Sequence, residues 1–198
     1  MSSKAVLRPL ILASTSRYRA ALLDRFSLPY EVRNPTVDES EIPGEPPRVR
    51  AVRLAAAKAN VVARQVPEAV VIGGDQVAAA HGAVLNKPGS AGNCREQLKL
   101  LSQSSAEFYT AVAVQCVAGN LKLSHVDSTT VRLRALSDAE IDRYIEREKP
   151  FDCAGGFKAE SLGIALFERM DSEDPTAIVG LPLIWLAGAL RTAGYSLP

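Results

Sequence analysis

The chain has 198 residues, of which 47% are hydrophobic and 23% charged, with a formal net charge of +1. That length and apolar content suit one globular domain with a sizeable core, and the near-neutral balance speaks against a general nucleic-acid or membrane-surface binder. Cys94, Cys116 and Cys153 lie far apart, without a CxxC pair or Cys/His cluster. The cysteines therefore suggest neither a zinc site nor a disulfide scaffold, and they favour a reducing compartment. No apolar run reaches the length of a membrane span, so a soluble cytoplasmic protein is expected.

In chain order, Leu10 to Ala13 reads as a buried strand, and Arg17 to Phe26 as a helix with Ser16 at its N-cap. "PYEVR" reads as a second short strand. The next stretch, "NPTVDESEIPGEPP", carries four prolines, one glycine and four acids in 14 residues, and is a loop. Pro46 or Pro47 can open a helix running to about Val66. "AVVIG" is a β-branched run, expected to end in a turn at Gly73-Gly74-Asp75. "QVAAAHGAVLN" reads as a hairpin turning at His81-Gly82, and Ser90 to Leu101 as a helix. Phe108 to Val117 and Leu121 to Leu133 form long strands around Gly119-Asn120. Ser137 and Glu140 make a capping-box pattern for a helix to about Arg147. "GIALF" is expected to be another strand, and Leu183 to Ala193 a last helix with Gly194 as its C-cap. Alternating strands and helices with one antiparallel hairpin indicate a single α/β domain built on a mixed sheet.

Several residues look chemical. On the second helix, Ala51, Leu54, Ala55, Val61 and Val62 share one face at 100° per residue, and Lys58 falls among them while Arg50, Arg53 and Arg64 fall elsewhere. A lysine aimed at a core must be paired, snorkel at the rim, or line an anion-binding cleft. Asp75, placed at a strand end, can be a metal ligand or general base, or cap its own turn. Asp38 and Glu39 can share a divalent cation or be solvated loop charge. Lys87 in "NKPGS" precedes a helix, where a cation and free N–H groups suit phosphate, though a turn lysine fits equally. Asp152, Lys158, Glu160 and Asp174 sit in glycine-containing loops and carry less weight alone. Together, the cations Arg19, Lys58 and Lys87 and the acids Asp38, Glu39 and Asp75 suit a phosphorylated ligand and a hard divalent metal. GxxxxGK[ST], GxGxxG, HExxH and GxSxG are all absent.

With those residues in place the chain resembles the Maf family of nucleoside triphosphate pyrophosphatases. The resemblance rests on "LASTSRYRAALL", "VDE" at Val37 to Glu39, "AAAKA" around Lys58, "IGGDQV" around Asp75, "NKP" at Asn86 to Pro88, "FYTAV" at Phe108 to Val112, and "VGLPL" at Val179 to Leu183. It implies hydrolysis between the α- and β-phosphates of a nucleotide, giving a monophosphate and diphosphate. It also implies a divalent metal (Mg²⁺ or Mn²⁺), a cytoplasmic location, frequent homodimers, and Asp75 as proton acceptor. The implied fold is a twisted mixed sheet with flanking helices and two lobes around a central cleft, shared with inosine-triphosphate pyrophosphatases and Ham1. A small-molecule nucleotide is the implied substrate, with no nucleic-acid or membrane partner expected.

The resemblance extends to a subfamily. The group acting on dTTP and UTP has arginine where this chain has Tyr18, and Asp-Thr where it has Asp75-Gln76. "CAGGFKAESLGIALFERM" and "DPTAIVGLPL" are similar to the subfamily that hydrolyses 7-methyl-GTP. By that match Tyr18, Gln76 and Glu160 set base specificity. A ring methylated at N7 is cationic, so an aromatic face favours it and an arginine repels it, and a carboxylate at Glu160 can accept the N1 and N2 hydrogens. Ser14, Ser16, Arg19, Lys58 and Lys87 would bind phosphate, and Asp38, Glu39 and Asp75 would hold the metal. Arg17 departs from the family pattern, which has proline there, and Tyr18 stands where tryptophan is common in the subfamily. The alternatives are a dTTP/UTP or modified-purine pyrophosphatase, and a non-catalytic nucleotide-sensing regulator of cell division.

Overall fold

The computed structural model describes residues 7–198. They form a seven-stranded mixed sheet ordered β2-β1-β3-β5-β6-β7, with β4 paired to β3 off that path. The strands are β1 (Leu10–Ala13), β2 (Glu31–Arg33), β3 (Val70–Ala80), β4 (Ala83–Leu85), β5 (Ser105–Cys116), β6 (Leu121–Leu133) and β7 (Phe167–Asp171). The helices are α1 (Arg17–Leu23), α2 (Pro47–Gln65), α3 (Ala91–Leu101), α4 (Asp138–Glu148) and α5 (Leu183–Thr192). β1 runs parallel to β2 and β3, and the remaining pairings are antiparallel. No described helix is long and apolar enough to cross a membrane.

Period-2 alternation distributes the core. From β1 and β3, Ile11, Ala13 and Val71 pack with Val62 and Ala63 of α2. Leu10, Leu12, Val70 and Ile72 face the other way, onto Leu22 and Leu23 of α1 and Leu183, Leu186 and Leu190 of α5. β1 is thus buried on both faces, which is why it reads as an uninterrupted apolar run. A separate apolar cluster lies beyond the middle of β3, where Ala78, Phe108, Val131 and Leu133 meet Leu98 of α3, Ile141 of α4 and Phe157.

Most expected elements occur. Ser16 caps α1, Ser90 caps α3, and Glu140 accepts from the Ser137 N–H at 2.8 Å in the capping box of α4. His81 and Gly82 both take positive φ, 51° and 78°, as the β3–β4 hairpin requires. Three expectations are corrected. The helix from Arg17 ends at Leu23 and tightens into a 3-10 turn over Asp24–Phe26. Gly73-Gly74-Asp75 is not a turn, because β3 runs straight through it to Ala80. "GIALF" is not a strand: Leu162–Leu166 is a 3-10 turn and β7 starts at Phe167. Ile164 is 53% exposed while Leu166 and Gly163 are buried, so the run packs only its two ends.

The long β3 also creates the cleft. β1 pairs with it only as far as Gly73, and β4 takes over only from Ala78. From Gly74 to Val77 the edge facing away from β5 has no strand against it. Asp75 and Gln76 sit in that gap.

Candidate active site

The gap opens into a cleft of about 760 Å³. One wall comes from the β1–α1 junction, another from α2 and the proline-rich loop, and a third from β4, Asp152–Phe157 and the turn at Ala177–Val179. Ser14, Ser16, Tyr18, Arg19, Glu39, Lys58, Asp75, Gln76, Lys87 and Glu160 all line it. Asp38 does not.

Lys58 is the centre of the charged end. Helical spacing buries it at 7% exposure, and Gly73 lets α2 approach β3 closely enough for pairing. Lys58 Nζ donates to Asp75 Oδ1 at 2.7 Å and lies 2.8 Å from Glu39 Oε1. Two carboxylates from different segments thus meet on one buried ammonium. Asp75 is 6% exposed. Burial pushes its carboxyl above the ordinary aspartate range, and the charges of Lys58 and Arg19 pull the other way. A raised carboxylate is a stronger base toward water than an ordinary one.

The "STS" junction supplies the neighbouring polar wall. Ser14 is 4% exposed, and its Oγ accepts from the Ser16 N–H at 3.1 Å and from Arg19 Nη1 at 3.3 Å. Arg19 Nε donates to the Gly180 carbonyl at 3.1 Å. Burial lowers the Arg19 guanidinium pKa, with Asp75 and Glu39 opposing, yet an arginine stays charged. Lys87 is exposed at the rim beyond β4.

Glu39 and Asp75 could form a metal pair. Both offer hard carboxylate oxygens, and Mg²⁺ is commonly held by one or two carboxylates plus substrate phosphates. The two acids fit that requirement. Asp38 points elsewhere: its Oδ1 accepts from the Ser40 N–H at 2.9 Å and from the Ser40 hydroxyl. Among the described residues no group of three or more His, Cys, Asp or Glu side chains forms a metal-binding cluster.

Tyr18, Gln76 and Glu160 line the same cleft, as do the apolar rings of Phe108 and Phe157. The Tyr18 hydroxyl reaches across the cleft to Asp152 Oδ2 at 3.2 Å. Burial helps to push its pKa up to about 12, so it stays neutral. Arg17 lies over the Tyr18 ring, 4.9 Å from its centroid, and donates to its hydroxyl at 2.8 Å. Lys158 points away from this cluster, onto Glu148 at 3.1 Å. Asp174 is buried at 4% and accepts from the Thr176 and Ile184 N–H groups.

Two residues escaped the sequence reading. Arg50 lines the cleft with its Nε buried and unpartnered among the described residues, while its Nη1 meets Glu41 at 2.9 Å and its Nη2 the Glu39 carbonyl at 3.4 Å. Arg53 grips Glu45 through Nε and Nη2, at 2.6 and 2.7 Å. Together they fasten the acidic loop onto α2 and bring Glu39 to Lys58. Their one-turn spacing on α2, facing a run of acids, was the available signal.

A family model described as "Maf-like protein" matches residues 9–193. The chain belongs to the Maf family. A relative from Polaromonas sp. named 7-methyl-GTP pyrophosphatase is 50% identical over 190 residues, covering 96% of this chain and 87% of that one. Relatives of the same name from Xanthomonas axonopodis pv. citri and Aromatoleum aromaticum are 51% and 48% identical, covering 96% of this chain and 98% and 97% of theirs. A solved structure of the Staphylococcus aureus Ham1 protein is a distant likeness, with a TM-score of 0.42 and 17% identity over 66% of this chain and 73% of that one. Within this Maf protein, each of the family motifs quoted above contributes at least one residue to the lining of this cleft, among them Ser14, Glu39, Lys58, Asp75, Lys87, Phe108 and Val179.

Proposed function

We propose that this Maf protein is a nucleoside triphosphate pyrophosphatase that hydrolyses 7-methyl-GTP to 7-methyl-GMP and diphosphate. The observation that carries the reading is the Glu39–Lys58–Asp75 group, with Lys58 and Asp75 buried, set beside Ser14 and Arg19 in a cleft that Tyr18, Gln76 and Glu160 also line. The curated relatives at about half identity carry that activity in their names. In this reading Asp75 orients the attacking water and takes its proton. Lys58, Arg19 and Lys87 bind the triphosphate and offset the charge growing on the leaving diphosphate. Ser14 and Ser16 hold phosphate oxygens through their hydroxyls. Glu39 and Asp75 would hold a divalent cation, while Asp38 accepts from Ser40 instead. That cation supplies Lewis-acid polarisation of the phosphates when bound. At the base end, Tyr18 stacks on the cationic ring and Glu160 accepts its N–H groups.

The test is diphosphate release from a panel of 7-methyl-GTP, GTP, UTP and dTTP, with and without Mg²⁺, for the natural chain and Asp75→Asn. The expected outcome is Mg²⁺-dependent preference for 7-methyl-GTP. In Asp75→Asn, kcat should fall by about 10²–10⁴-fold with the fold retained by circular dichroism. A preference for UTP or dTTP would sink the substrate assignment, and wild-type turnover in Asp75→Asn the catalytic one.

A further inference from the structure

A glutamine amide can offer a base either a carbonyl acceptor or an NH₂ donor, and the choice decides which base edge it can read. Gln76 Nε2 lies 2.9 Å from Thr110 Oγ1, 3.0 Å from the Ile178 carbonyl and 3.2 Å from the Ala177 carbonyl. Both carbonyls can only accept. The Thr110 hydroxyl can go either way, but it lies 2.9 Å from the Ala177 carbonyl and spends its hydrogen there. Its oxygen therefore accepts from Gln76. Flipping the amide would set Oε1 against two carbonyl oxygens that cannot donate, so only one orientation satisfies the network. Oε1 then has no partner among the described residues and is the atom left for the cleft. Thr110 itself is 0% exposed and sits opposite Gln76 in the β3–β5 register. It does not line the cleft, so it can act only through Gln76.

Glu160 also lines the cleft and has no hydrogen bond among the described residues. Two carboxylate oxygens and one amide oxygen make three acceptors. Guanine presents three N–H groups on that edge, one on N1 and two on its exocyclic amine. We propose that Thr110 is a positioning residue that, together with the Ala177 and Ile178 carbonyls, locks Gln76 as a pure acceptor, so that the exocyclic amine of the base is shared between Gln76 Oε1 and Glu160. This rests on the guanine-type substrate proposed above and adds the donor rule that selects it. A base lacking the amine leaves Oε1 unpaired, and a base with a carbonyl there meets it with like polarity.

The experiment uses monophosphates, so that turnover is not needed. Calorimetric Kd values for 7-methyl-GMP and 7-methyl-IMP, which lacks the amine, are compared for the natural protein, Thr110→Val and Thr110→Ser. The natural protein should favour 7-methyl-GMP by about tenfold, the worth of one well-made hydrogen bond. Thr110→Ser should keep that ratio, and Thr110→Val should narrow it, because the amide loses one of its three partners and the Ala177 carbonyl loses its tie to β5. Equal weakening of both ligands in Thr110→Val, with the ratio unchanged, would show a purely structural role and overturn the proposal. So would no preference in the natural protein, or a lost preference in Thr110→Ser. If Thr110→Val does not fold, hydrogen exchange of the Gln76 side-chain amide in the natural protein decides: slow exchange supports the lock, and solvent-like exchange overturns it. Failure of diphosphate release with the Kd ratio intact would sink the hydrolytic reading and leave this one standing.

Discussion

At the scale of single residues, the site is governed by how Asp75 is charged. Its carboxyl is pushed up chiefly by burial, and Lys58 is the strongest opposing influence. Glu39, a like charge on the same ammonium, acts to raise it. A base must be ionised to accept a proton, so kcat/KM should rise as pH climbs through the Asp75 pKa. Lys58→Met removes the lowering charge, so the acid limb of kcat/KM should move to higher pH, beyond any overall loss of activity. Glu39→Gln should move it the other way, and less, because Glu39 is more exposed. Limbs that stay put in both variants would mean Asp75 is not the titrating base. The stability sign follows from the same shift. A raised folded pKa favours the protonated form, a contribution present below about pH 4 and lost as pH rises through the folded value. Asp75→Asn should therefore gain in Tm on the natural protein as pH climbs. Lys58 and Asp75 were legible in the sequence because helical period and motif each single out one position. Arg50 and Arg53 were not, because their meaning depends on where a 14-residue loop folds back. Arg17 stands where the family pattern has proline, and its contact with the Tyr18 ring and hydroxyl gives it a local role.

At the scale of elements, the instructive error is the double glycine. Glycine pairs usually mark turns because they permit positive φ, but neither Gly73 nor Gly74 uses it. Their purpose is close approach. A Cβ on Gly73 would sit 2.5 Å from the Ala55 carbonyl oxygen and 2.5 Å from the Ala59 nitrogen of α2. Periodicity finds a strand, but not the neighbour that will press on it. Gly73→Ala must therefore drive α2 off the sheet and lift Lys58 from Asp75. A loss of about 3–5 kcal/mol is expected by urea unfolding, of the size reserved for severe core disruption. Gly188, within α5, is the contrast: a Cβ there meets nothing within 4 Å. Gly188→Ala should stabilise by about 0.5–1 kcal/mol through helix propensity and a less flexible unfolded chain. Near-equal effects of the two substitutions would refute the packing account. The "GIALF" error has a similar origin. Short apolar runs do not reveal whether alternate side chains will find a sheet, and here Ile164 finds solvent.

At the scale of the molecule, the cleft owes its shape to pairing that stops and restarts along one strand edge, a feature no local pattern announces. A mixed α/β sheet could be read from the order of elements, but the four residues of β3 left open on one edge between β1 and β4 could not. The closing piece is the segment from Asp174 to Leu181. Its Ala177 and Ile178 carbonyls orient Gln76, and its Gly180 carbonyl holds Arg19. Asp174 ties that segment to the apolar core. Its Oδ1 accepts from the Thr176 N–H at 2.9 Å and the Thr176 hydroxyl at 2.6 Å, and its Oδ2 from the Ile184 N–H at 2.6 Å, in the first turn of α5. A carboxylate there also meets the positive end of the helix. Asp174→Ala removes three charge-assisted, part-buried bonds and leaves their donors unpaired, which should cost about 3 kcal/mol in unfolding free energy. Because Gln76 and Arg19, the proposed base-reading and phosphate-binding groups, both lean on this segment, the folded variant should also show a higher KM and weaker base discrimination. Asp174→Asn keeps one acceptor oxygen and should fall between. Loss of stability with unchanged KM and discrimination would mean that the carbonyls of the turn are held by the surrounding core alone, and that stability and recognition are not coupled through Asp174.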